Sequence, residues 1–138
     1  MYFSCSSVCY YFNMQTLFKP NHPVRQLKSF KYALEGVWHA FLSEPNFRIQ
    51  LVIVTVLVFL GKLYQITKIE WSLIVISSGF LLFMELTNTV IEEIMDRFMK
   101  QTDESVKIIK DVSAAAVLIT AITVLVNFFL IFGPRIFN

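Results

Sequence analysis

The stretch WSLIVISSGFLLFMELTNTVIEEIMD, residues 71–96, decides how this chain is built. From Trp71 to Met84 it carries no charge, and Glu85 is its first ionisable side chain. A helix needs about 20 predominantly apolar residues to cross a hydrocarbon core. The run from Trp71 to about Ile91 has that length, with Glu85 as its one charge. Glu85, Asn88, Glu92 and Asp96 are spaced by three, four and four residues. At about 3.6 residues per turn that spacing gives one narrow stripe, while Leu86, Val90, Ile91 and Ile94 take other directions. An ionisable residue inside a span is costly, so it usually faces a protein interior or a site. A helix leaving the bilayer would explain Glu92, Glu93 and Asp96 as headgroup contacts. It explains Glu85 and Asn88 poorly, because they lie one to two turns deeper.

Working outward, two further apolar runs flank this one. The first extends from about Phe47 to Ile66, interrupted at Gly61-Lys62, and the last from Val112 to Pro134 without any charge. In lipid only helices or closed barrels satisfy the backbone, and these runs do not alternate as barrel strands do. The expectation is an all-α integral membrane protein with three transmembrane helices, at about 47–66, 71–91 and 112–134. Composition agrees. Of 138 residues 56% are hydrophobic, 14 of them Phe, and only 16% are charged. A soluble fold of this size has too little interior for that apolar surface. A net charge of +2 with no basic run excludes a nucleic-acid partner.

Residues 1–24 read as a leader ahead of a membrane domain at 25–138. Met1–Phe12 is apolar but too short to span and lacks a basic start, so it is not a signal peptide; Met14 offers a second start. Cys5 and Cys9, without His at ligand spacing, read as incidental thiols. Between leader and first span, Leu27, Phe30, Leu34, Val37, Trp38, Phe41 and Leu42 recur at helical spacing. That predicts an N-terminal amphipathic helix over Gln26–Ser43, either lying in the membrane interface or packed on the cytoplasmic ends of the other helices. Ser43-Glu44-Pro45 separates it from the first span, since Pro suits a first helical turn.

Lys19, Arg25, Lys28, Lys31 and Arg48 precede the first span, and Arg97, Lys100, Lys107 and Lys110 lie between the second and third. The opposite side holds Lys62, Lys68 and Arg135. The positive-inside rule then puts the N-terminus in the cytoplasm and the C-terminus outside, and lets cytoplasmic ATP reach Glu44, Glu92 and Lys110. Antiparallel neighbours would bring Glu44 and Glu92 to one depth. Two carboxylates, completed by water and phosphate oxygens, are what Mg²⁺ usually takes; alternatively Glu44 answers a helix dipole. Lys110-Asp111 opens the third span, where a helix N-terminus and a Lys favour phosphate, or where Lys is an interfacial anchor. Ala114-Ala115-Ala116 suits close helix packing. A metal site, a phosphate-binding cation and a deep carboxylate able to meet a lipid hydroxyl together suit phosphoryl transfer. The P-loop and protein-kinase motifs are not present in the sequence.

These residues resemble a known family. Glu85-Leu-Thr-Asn88-Thr-Val-Ile-Glu92-Glu-Ile-Met-Asp96 is similar to the signature E-x-x-N-[ST]-x-x-E-x-x-x-D of the prokaryotic diacylglycerol kinases. Phe30-Lys-Tyr-Ala-x-x-Gly36, Glu44-Pro-Asn46-Phe47-Arg48 and Lys110-Asp111-x-x-Ala-Ala-Ala-Val-Leu fall in the same order, so that the resemblance covers Arg25 to Ile136. It implies a bacterial cell-membrane homotrimer of three-span subunits, with sites shared between neighbours, that phosphorylates a lipid hydroxyl with MgATP. Carried over, Glu85 is the catalytic base and Glu44 and Glu92 bind the metal. Asn88, Lys110 and Asp111 serve the nucleotide and catalytic site, with Asp96 closing the signature. Tyr32 and Arg25 contact nucleotide, and Asn46, Phe47, Arg48 and Gln50 meet the lipid. Gln50 stands where some members have an acid, and Lys100-Gln-Thr-Asp-Glu-Ser105 replaces the usual loop. Ile69-Glu70-Trp71, Asn46-Phe47 and the tail Phe132-Gly-Pro-Arg-Ile136 look like the undecaprenol kinase branch, with diacylglycerol kinase as the alternative. A non-catalytic ion-site or structural protein is the reading left if no transfer occurs; a transporter would show repeated halves or broken helices.

Overall fold

Pro45 opens the first apolar helix one residue after Glu44, and its fixed φ and missing N–H suit that position. From there the chain makes three long helices. The computed structural model describes residues 23–99 and 104–137, with side chains from Gln26 onward. Cys5, Cys9, Met14 and the leader as far as residue 22 lie outside the described residues, as do positions 100–103 and the side chain of Arg25. The elements are α1 (Pro23–Ser43), α2 (Pro45–Leu63), α3 (Lys68–Phe98) and α4 (Glu104–Ile136). Each of α2, α3 and α4 is long and apolar enough to cross a membrane.

Two compact units divide within α1, between Glu35 and Gly36. In the first, Lys31 pairs with Glu35 one turn on at 3.6 Å, and both are exposed. Leu27, Phe30, Tyr32 and Leu34 are exposed as well. The second unit holds the helical bundle. There α3 packs along α4 and, less extensively, on α2.

The ends of the helices differ from the expected spans, and the reasons are local. α2 passes through Gly61, where the apolar run is interrupted. A Cβ at Gly61 would lie 2.9 Å from Cη2 and Cζ2 of Trp71, so the glycine admits the indole against the helix. α2 then stops at Leu63. Gln65 takes the left-handed conformation at φ 47, while Ile66 N–H donates to Gly61 O at 3.2 Å and Gln65 N–H to Lys62 O at 3.4 Å. That is a Schellman stop. Thr67 caps α3 in a capping box with Glu70. α3 runs on to Phe98, and α4 begins already at Glu104. Apolarity marks the hydrocarbon thickness, whereas the hydrogen-bonded ladder continues into the aqueous phase.

The core lies toward the α2–α3 turn. Leu57, Ile66, Ile74, Leu81, Val124, Ile131 and Phe132 are buried together, with Tyr64, Trp71 and Phe128 packed against them. Arg135 near the end of α4 grips Glu70 at the start of α3, both Nη–Oε distances being 3.0 Å. Arg135 also donates to Ile131 O. Polar groups gather at the other end, where α3 leaves the apolar zone.

Candidate functional site

The helical period of α3 turns the sequence stripe into one edge facing α2 and α4. Glu85 is the deepest member and is only 2% exposed. Gln50 of α2, itself buried, donates its Nε2–H to Glu85 Oε2 at 2.6 Å. Gln50 Oε1 is buried with no hydrogen-bond partner among the described residues. One turn on, the buried Asn88 accepts on Oδ1 from Ser113 Oγ of α4 at 2.5 Å, and its Nδ2–H donates to Glu92 Oε1 at 2.9 Å. A further turn on, Asp96 Oδ1 accepts from Lys110 Nζ of α4 at 2.8 Å. The edge thus runs from a buried carboxylate to an exposed one. Seven residues at about 1.5 Å rise set Glu92 roughly 10 Å beyond Glu85 along the axis.

Glu44 belongs to the same end. It is the N-cap residue of α2, half-buried, and its side chain makes no capping bond. α2 and α3 run antiparallel through the Gln50–Glu85 contact, which puts Glu44 at the same end of the bundle as Glu92. Among the described residues no group of three or more His, Cys, Asp or Glu side chains is arranged to hold a metal ion. A cation held by Glu44 and Glu92 would need water or phosphate oxygens to complete its shell. Glu93, by contrast, turns outward and pairs with Arg97 at 2.7 Å.

The remaining expected residues fall in different surroundings. Asp111 is exposed on α4, next to Lys110. Asn46 and Arg48 are exposed on the first turn of α2, whereas Phe47 and Gln50 are buried. Tyr32 is exposed in the other unit. Gln50 also borders an apolar groove of about 480 Å³ between α2 and α4, floored by Leu81 and lined by Val56, Ala121 and Phe128 among others. The groove leads along the bundle to the one polar side chain in its wall.

Two features escaped the sequence reading. Ser113 was not singled out, although a hydroxyl three residues after Lys110 in an apolar helix is a readable signal. Gln50 was read only as a lipid contact, and nothing local to α2 reveals that its amide meets a carboxylate 35 positions away.

A family model described as prokaryotic diacylglycerol kinase matches residues 31–132. An undecaprenol kinase of Bacillus subtilis (strain 168) is 31% identical over 112 residues, 81% of this chain and 91% of that protein. A diacylglycerol kinase of Synechocystis sp. is 34% identical over 101 residues, 72% of this chain and 58% of that protein. A diacylglycerol kinase of Haemophilus influenzae is 30% identical over 103 residues, 75% and 87% of the two chains.

Proposed function

The chain belongs to the prokaryotic diacylglycerol kinase family and is a lipid kinase, and we propose that it transfers the γ-phosphate of ATP to undecaprenol, giving undecaprenyl phosphate. The observation that carries the chemistry is Glu85, a buried carboxylate held by Gln50 where an apolar groove ends. A prenyl chain in that groove would leave its terminal hydroxyl at the polar edge. Glu85 takes the hydroxyl proton as the oxygen attacks the γ-phosphorus. The new O–P bond forms, the bond from that phosphorus to the bridging oxygen breaks, and ADP leaves with its electron pair. Glu85 then returns the proton to solvent. Positioned acid–base groups of this kind contribute roughly 10²- to 10⁴-fold.

Glu44 and Glu92 are the residues that would hold Mg²⁺, which when bound spreads the phosphate charge and fixes the transferring group. Lys110 would meet phosphate, with Asp96 holding its ammonium in place, and Asp111 lies beside it. Arg25 and Tyr32 of α1 complete the nucleotide contacts in this reading, and Asn46, Phe47 and Arg48 the lipid contacts. α1 would lie as an amphipathic helix in the cytoplasmic interface, its exposed Leu27, Phe30, Leu34 and Trp38 supporting that placement. We also propose a homotrimer with the N-terminus cytoplasmic and the C-terminus outside; exposed Ala114 and Ala115 would allow close approach of a neighbouring helix.

Undecaprenol is preferred because Ile69-Glu70-Trp71, Asn46-Phe47 and the tail Phe132-Gly-Pro-Arg-Ile136 resemble that branch, and because the match to the undecaprenol kinase of Bacillus subtilis spans 91% of that protein. Diacylglycerol is the alternative, favoured by the relatives in Synechocystis and Haemophilus. The test is purified protein with radiolabelled MgATP in mixed micelles holding either lipid. Faster labelling of undecaprenol supports the proposal, faster labelling of diacylglycerol selects the alternative, and no lipid phosphate with either contradicts the kinase reading.

A further inference from the structure

The carboxylate of Glu92 is presented by a chain of two side chains that begins on α4. Ser113 Oγ donates to Asn88 Oδ1, and Asn88 Nδ2 donates to Glu92 Oε1. A carboxylate only accepts, and an amide can be turned either way. Glu92 therefore requires the NH₂ end of Asn88, which leaves the amide carbonyl facing Ser113, and Ser113 must be the donor there. Its single proton has a competing acceptor, Lys110 O at 3.0 Å. That carbonyl is already served by the helix ladder, and the contact to Asn88 is the shorter at 2.5 Å. Ser113 and Asn88 are both buried, so water does not readily replace either bond.

We infer that Ser113 is a positioning residue for nucleotide-metal binding: its hydroxyl fixes the amide of Asn88, so that Asn88 holds Oε1 of Glu92 and leaves the other oxygen directed to a ligand. The inference rests on the reading of Glu92 as a metal carboxylate. Without the hydroxyl the Asn88 carbonyl loses its donor and the amide is released to turn. In the turned orientation it sets an oxygen against Glu92 and repels the carboxylate from its place. Partners that orient a metal ligand are worth roughly 10- to 100-fold in metal affinity. Ser113 acts one step further out than Asn88, so the lower end applies.

The experiment measures binding, not turnover. Mn²⁺ bound together with a non-hydrolysable ATP analogue is titrated by electron paramagnetic resonance on the full chain in micelles, with thermal unfolding followed in parallel. Ser113→Ala and Ser113→Val are expected to weaken Mn²⁺–nucleotide affinity by about tenfold. Ser113→Thr, close to Val in size but carrying the hydroxyl, is expected to restore most of it. Ser113→Ala added to Glu92→Gln should weaken binding no further, because the two act in series. Equal affinity for the Thr and Val variants overturns the inference, and so does a lowered unfolding temperature with unchanged affinity. If Glu92→Gln itself binds Mn²⁺–nucleotide normally, the metal reading of Glu92 falls and this inference with it. If Glu92→Gln loses binding while Ser113→Ala keeps it, only the role of Ser113 is overturned.

Discussion

Replacing Gln50 by Leu should slow catalysis by more than its loss of stability explains. The side chains are similar in size, and Gln50 is buried against α3. The change removes the 2.6 Å bond to Glu85, a bond to a charged group worth about 1.5–3 kcal/mol. It also removes the buried Oε1, which has no partner among the described residues. An unsatisfied buried polar atom costs about 1–3 kcal/mol. These two effects oppose one another in folding, but Glu85 is left buried without its partner, so the unfolding free energy should fall by about 1–3 kcal/mol. Catalysis has no such compensation. Glu85 loses the group that sets its orientation, and if the bond persists into the transition state its loss slows turnover roughly 10- to 100-fold, at about 1.4 kcal/mol per decade. The assay pairs lipid phosphorylation per folded protein with thermal unfolding in the same micelles. Normal turnover, with or without lost stability, would refute the reasoning and leave Gln50 as a packing residue.

Glu44→Gln and Glu92→Gln should each shift the Mg²⁺ dependence of turnover, and the double variant should lose little more, since groups acting as one unit are non-additive; independent small losses at saturating MgATP would point to helix-dipole and headgroup roles. Arg135→Ala, Glu70→Gln and their double variant should form a cycle in thermal unfolding with a measurable favourable coupling, because two half-buried side chains meet in a two-point contact; zero coupling would mean the pair does not clamp α4 to α3. A cysteine at Gln65, with Cys5 and Cys9 replaced, should react with an impermeant thiol reagent on intact cells, and one at Ser105 should not; the reverse pattern would detach the site from cytoplasmic ATP.

Much of this site was legible because its residues share one helix. Glu85, Asn88, Glu92 and Asp96 announce their common edge through the helical period, and Glu85 announces a protected environment by sitting in an apolar run. Ser43-Glu44-Pro45 likewise marked the α1–α2 junction, since Pro acts through local geometry. Contacts between helices were not legible. Gln50 meets Glu85 across 35 positions, Ser113 meets Asn88 across 25 and Arg135 meets Glu70 across 65. Each depends on the rotation and register of two packed helices, which an apolar surface leaves undetermined. The helices run past the apolar spans for a different reason. Glu92 to Phe98 and Glu104 to Asp111 are too polar for hydrocarbon yet good helix formers, so hydropathy stops where the helix does not. Thr67-Lys-Ile-Glu70, a capping box at its ordinary spacing, was legible and went unread.

The central claim is that Glu85 is the base of a phosphoryl transfer, and Glu85→Gln tests it with almost no change in volume. Turnover with lipid is measured beside nucleotide-analogue binding and oligomeric state, with Glu93→Gln as the control because Glu93 faces away and pairs with Arg97. The account predicts a folded, assembled protein that binds nucleotide and loses at least about 10²-fold in turnover, while Glu93→Gln stays near the parent. Near-normal turnover of Glu85→Gln with loss in Glu93→Gln would contradict the assignment of the stripe, and failure of Glu85→Gln to assemble would make the residue a packing contact instead of a base.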